Sequence, residues 1–117
     1  MVEMTLTVPD QLAARLQSMT AWLPTVLELS LQGFKTPAAQ TLSEIIIFLS
    51  AGPTPQQVMS FMISERAQKR LGRLLALNQA GLLSQAEQDE LDELEQLEHI
   101  MVLLKARVQK QMQETSE

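Results

Sequence analysis

The sequence predicts a mainly α-helical protein. One N-terminal β-strand, paired in a dimer, precedes about five to six helices, and the chain ends in a helical hairpin with a long C-terminal helix. Three observations carry this. Apolar residues recur at helical spacing from Leu12 to Val108. Helix-opening signals, a Ser or Thr followed by Pro or by Glu/Gln three residues on, occur at Thr36, Thr54 and Ser84. Only the segment from Glu3 to Val8 alternates with period two.

In that segment Met4, Leu6 and Val8 lie on one face, and Glu3, Thr5 and Thr7 on the other. A single strand is not stable alone. Its simplest partner is the same strand in a second copy, so a homodimer is expected through Met4, Leu6 and Val8. Trp22, the single tryptophan, is a further anchor candidate at the junction of the first two helices. Pro9-Asp10 stops the strand. Leu12, Ala13, Leu16 and Met19 form a first helix. A second opens near Pro24 and closes at Gly33.

Thr36-Pro37 opens a third helix that runs through Leu42, Ile45, Ile46, Phe48 and Leu49 to Gly52. Its apolar face is the broadest, which predicts the deepest burial. Thr54-Pro55-Gln56-Gln57 is a capping box and opens a short helix through Val58, Met59, Phe61 and Met62. Ser64 caps a helix carrying Ala67, Leu71, Leu74, Leu75 and Asn78, which ends at Gly81. Ser84-Gln85-Ala86-Glu87 is a second capping box, opening a helix from about Gln85 to about Met112. Leu94, Met101 and Val108 are seven apart, as are Leu97 and Leu104, so together they form a seam about two heptads long. The units are therefore 1–35, a strand-helix-helix dimerisation unit; 36–62, short buried helices; 63–113, the hairpin with its long helix; and 114–117, a frayed tail.

Composition narrows the chemistry. The 117 residues carry nine basic and fourteen acidic side chains, a net charge of -5. A generally basic nucleic-acid binder has the opposite balance. There is no cysteine, which excludes disulfides, thiolate catalysis and cysteine metal sites. Aromatics are 3%, too few for a base-stacking platform. The acidic run lacks the central glycine and alternating ligands of a calcium loop. His99 is the one histidine and has no evident catalytic companion. No enzyme, metal, cofactor or small-molecule substrate is expected. The longest apolar run, residues 45–49, is far below the ~20 residues of a membrane span. No secretory leader pattern opens the chain, so a cytoplasmic protein is expected.

Residues 87–98 hold seven carboxylates, and residues 66–73 hold Arg66, Lys69, Arg70 and Arg73. An antiparallel hairpin places Arg73 near Leu91 and Arg66 near Glu98, so the charges pair across it. The same long helix is the expected partner-binding element. Its candidates are Glu90, Glu93 and Glu95 with the seam residues Leu94, Leu97, Met101, Leu104 and Val108.

Two resemblances follow from these residues. Strand, helix, helix within about 34 residues resembles a ribbon-helix-helix module. That resemblance implies a dimeric ribbon whose outward residues, here Glu3, Thr5 and Thr7, face the DNA major groove. Thr5 and Thr7 are the candidate DNA contacts. The strand has no Arg or Lys, Glu3 repels phosphate, and Ala21-Trp22-Leu23-Pro24-Thr25 stands where the family has a glycine turn. The dimer is thus better supported than DNA binding. The runs Ser43-Glu44-Ile45-Ile46-Ile47-Phe48-Leu49-Ser50-Ala51-Gly52-Pro53-Thr54-Pro55, Ser64-Glu65-Arg66-Ala67-Gln68 and residues 87–100 resemble small helical proteins frequent in cyanobacteria and similar bacteria. Over roughly residues 40–108 this resemblance implies an antitoxin-like protein whose partner is a nuclease-type toxin. The alternatives are a structural adaptor of a larger complex and a DNA-binding regulator.

Overall fold

Helices account for most of residues 2–116, the part of the chain that the computed structural model describes. In order they are α1 (Asp10–Gln17), a 3-10 turn (Thr20–Trp22), α2 (Leu23–Ser30), α3 (Ala38–Ser50), α4 (Pro55–Ser60), α5 (Glu65–Gln79) and α6 (Gln85–Ser116). Helix α6 is the spine, and α3, α4 and α5 all pack on it. No helix is long and apolar enough to cross a membrane among the described residues.

The local signals explain where helices begin. Thr54 and Gln57 close a reciprocal capping box, Gln57 N–H donating to Thr54 Oγ1 at 3.1 Å and Thr54 N–H to Gln57 Oε1 at 2.8 Å. Ser84 and Glu87 do the same for α6, at 3.2 and 3.0 Å. Ser64 Oγ accepts from Ala67 N–H at 3.2 Å. At α3 the helix starts one residue later than Pro37, and Thr36 Oγ1 accepts from Ala38 N–H at 3.1 Å.

Two glycines end helices by adopting positive φ. Gly81 (φ 70°) completes a Schellman turn, with Leu82 N–H bonded to Leu77 O and Gly81 N–H to Asn78 O. Gly52 (φ 72°) stops α3, and its N–H bonds to Leu49 O. Gly33, expected to stop α2, does not; the helix ends at Ser30, and Leu31 N–H still bonds back to Leu27 O.

The core is built on the predicted seam. Leu97, Met101, Leu104 and Val108 of α6, with Ile100, meet Val26 and Leu29 of α2, Leu42, Ile45 and Leu49 of α3, and Val58 of α4. Trp22 closes this cluster, and its Nε1 donates to Pro53 O at 2.8 Å. Phe48 and Phe61 stack at 4.4 Å between ring centres, tying α3 to the chain leaving α4. A smaller cluster, Ala38, Leu74, Leu91 and Leu94, fills the closed end of the α5–α6 hairpin.

Three expectations change. First, the described residues contain no β-strand; residues 2–9 have no regular secondary structure. A strand needs a second strand to hydrogen-bond with, and every other element here is a helix whose backbone is satisfied internally. Second, Phe61 and Met62 lie beyond α4, in the chain leading to α5. Third, the direct ion pair across the hairpin is made by Arg70 with Glu90, while Arg73 acts on Glu87 only through its charge, and Arg66 pairs with Glu44 of α3 instead of Glu98. Helix α6 ends at Ser116, beyond the Met112 expected from the sequence pattern; Glu117 lies outside the described residues.

Candidate functional site

The residues expected to bind a partner divide into three groups. Leu94, Leu97, Met101, Leu104 and Val108 are buried, and they form the molecule's own core. They hold α6 in place and present nothing outward. Glu90 is also inside, 4% exposed, and receives a two-pronged contact from Arg70: Nε to Oε2 at 2.8 Å and Nη2 to Oε1 at 2.9 Å. This fork geometry is the strong form of the ion pair. The Glu90 carboxylate beside it raises the affinity of the Arg70 guanidinium for its proton still further.

Glu93 caps the chain entering α3. It accepts from Lys35 N–H at 3.0 Å, from Thr36 N–H at 3.2 Å and from Thr36 Oγ1 at 2.6 Å. Burial works to raise its carboxyl pKa, but the bonds from Thr36 and Lys35 outweigh burial and hold it below the usual value. Glu87, in the α6 cap, is likewise lowered, by its bonds to Ser84. Glu95 alone of the three acidic candidates is fully outward.

Four outward carboxylates, Asp89, Asp92, Glu95 and Glu98, lie in the first half of α6, and Glu114 is outward near its end. The four are three residues apart, each step turning back about 60°, so they form an oblique ridge that passes half way round the outer side of the helix. Gln85 Nε2 steadies Asp89 at 2.9 Å and Gln88 Nε2 steadies Asp92 at 2.8 Å. The sequence contained the signal that separates ridge from seam: Glu90 stands four residues before Leu94 and so shares its face.

The dimerisation candidates are also divided. Trp22 is a core residue, bonded within its own chain. Met4 and Leu6 are 90% and 78% exposed, as is Val2 at 89%, while Val8 is half-buried. Thr5 and Thr7 are exposed on the same arm, and Glu3 is its one charged side chain among residues 2–9. Within the single chain, residues 2–9 form no strand that would aim the two threonines. His99 is exposed on α6.

An apolar groove of about 290 Å³ lies beside α6, lined by Ile45, Phe61, Met62, Leu71, Met101 and Lys105 among others. Lys105 Nζ donates to Phe61 O at 2.8 Å, which fixes the chain after α4. No group of three or more His, Asp or Glu side chains placed to hold a metal occurs among the described residues.

No family model, curated protein or solved structure matches this chain.

Proposed function

We propose that this is a non-enzymatic protein–protein interaction module, an antitoxin-like protein that binds and neutralises a nuclease-type toxin. The observation that carries it is the division of α6: its seam is used up in the core, while its ridge of four carboxylates stands outward on a rigid helix. A nuclease cleft is built for phosphates and is therefore basic. The Asp89–Glu98 ridge offers it fixed negative charge, and such complementarity speeds association and favours that partner over neutral ones. Inhibition is then by occlusion of the cleft.

The N-terminal arm extends the same proposal. Its alternating Met4, Leu6 and Val8 gain a strand's hydrogen bonds only against another chain. A second copy supplies such an edge, and so does a partner's sheet. DNA is the weaker partner, because residues 2–9 carry no Lys or Arg to hold phosphate. A structural adaptor in a larger assembly is the second reading. It is favoured by large apolar side chains left outward on separate elements, Leu31 after α2, Ile47 on α3 and Met62 after α4.

The test is capture of the tagged protein from its native cell, followed by nuclease assays on what is captured. One stoichiometric nuclease, inhibited by the pure protein and less so by Asp89→Asn/Asp92→Asn/Glu95→Gln/Glu98→Gln, is the expected result. Unchanged inhibition by that variant removes the ridge mechanism. Recovery of a large multi-subunit assembly replaces the antitoxin reading with the adaptor.

A further inference from the structure

The solvent face of α6 carries a pattern that the core does not need. Opposite the buried seam, Glu95, His99, Val102, Leu103, Ala106 and Lys110 follow one another at steps of three and four residues, or sit side by side, and all are exposed. Val102 and Leu103 are 56% and 50% exposed, large apolar side chains at the centre of an otherwise polar stripe. An acidic residue lies on one side of this centre and a basic residue on the other. Glu95 and Lys110 are each about 11 Å along the axis from the point midway between Val102 and Leu103. Neither takes part in an ion pair among the described residues.

That arrangement is its own complement under a two-fold axis. We propose that the outer stripe of α6 docks against the same stripe of a second copy, antiparallel, with the axis between Val102 and Leu103. Val102 of one copy then packs on Leu103 of the other, and His99 lies over Ala106. Glu95 faces Lys110 of the second copy at both ends of the contact. An isologous contact requires that each residue's opposite number appear at the mirrored position, and the stripe meets this at the apolar centre and at the charges. A parallel pairing would set Glu95 against Glu95 and Lys110 against Lys110. The inference does not depend on the nuclease proposal. Glu95 also belongs to the acidic ridge, so a partner on the ridge and a second copy compete for it.

The test is a charge swap read by sedimentation equilibrium over a range of concentrations. The intact chain is expected to associate to twice its 13.1 kDa mass. Glu95→Lys alone and Lys110→Glu alone should each weaken the dimer at least about tenfold, because each sets like charges opposite one another at both ends. Glu95→Lys combined with Lys110→Glu should restore it. Both positions are exposed, and circular dichroism should show unchanged helix content in all three variants. A monomeric intact chain overturns the proposal, and so does a double variant as weak as the singles. A chain lacking residues 1–8 should still dimerise. If its dimer is lost while the charge variants have no effect, the arm carries self-association and the α6 contact is refuted.

Discussion

Gly52 shows how much one residue can hold. Its backbone sits at φ 72°, and a Cβ built there would stand 2.3 Å from Ser18 O, a backbone atom that cannot step aside. The neighbouring Pro53 O receives the Trp22 indole. The turn after α3 is therefore clamped on the segment between α1 and α2. Gly52→Ala should cost about 2 kcal/mol or more, combining left-handed strain with the collision, and should lower the urea midpoint with little change in slope. Gly81→Ala serves as the comparison. It has similar φ but nothing near its Cβ, so it should cost about 1 kcal/mol from backbone strain alone. Equal losses for the two would show that the Ser18 contact is unimportant. Glu93 is the second such residue. Its carboxyl is held below its ordinary value of 4.5. A depressed carboxyl binds its proton less readily folded than unfolded, so its contribution is complete above 4.5 and is lost as pH falls through the lower folded value. Glu93→Gln should flatten the fall in stability below pH 4.5 relative to the unmodified chain, measured by urea unfolding across that range. The sequence marked Glu93 for a partner because an acidic run looks outward in one dimension. Its actual partners, Lys35 and Thr36, are more than fifty residues away in the chain, and no local pattern points to them.

At the level of elements, what could be read from sequence is what is local. The capping boxes at Thr54 and Ser84, the Ser64 cap and the stops at Gly52 and Gly81 depend on residues within one or two turns, and each formed where expected. The seam of α6 was legible for the same reason, since heptad spacing states which side chains share a face. What faces that seam was not legible: the long helix looked like an element offered to a partner, but it is the helix on which the chain folds itself. The hairpin's level was legible, since Leu74, next to Arg73, packs with Leu91 as expected; which cation pairs with which carboxylate was not, because that depends on side-chain reach and on α3. The Arg70–Glu90 pair is the cross-hairpin contact that forms, and it permits a test. Glu90 is almost fully covered while Arg70 is about a third exposed, so solvent screens the pair in part. Arg70→Met leaves a buried carboxylate without its partner and should cost about 2 kcal/mol, less than a wholly buried pair would lose. Arg70→Met with Glu90→Leu should recover most of that, because two apolar side chains remove the need for the pair. A double variant no better than Arg70→Met would show that the pair does more than satisfy its own burial.

Taken whole, the molecule divides into a helical body and an arm of which only Val8 is partly covered. The body needs no residue before Pro9: the first bond of α1 uses Pro9 O, accepting from Ala13 N–H at 2.9 Å, and every large apolar side chain from Val2 to Leu6 is outward. The strand pattern in the arm was correctly seen as a period, but a period states only which side chains would share a face. It does not supply the second strand. Removal of residues 1–8 should therefore leave the stability of the body unchanged to within about 0.5 kcal/mol by urea unfolding. The arm's own state should depend on what surrounds it. In dilute solution its amides lack partners and should exchange with deuterium at nearly the rate of an open chain. If the arm pairs with a second copy, alternate amides between Glu3 and Val8 should become protected as protein concentration rises, since only one in two of a strand's N–H groups faces a given neighbour. Protection of the α3 amides, set by the core, should not move with concentration. An arm that stays unprotected at high concentration, in a chain shown to be dimeric, would remove the strand pairing and leave Met4, Leu6 and Val8 for a different protein.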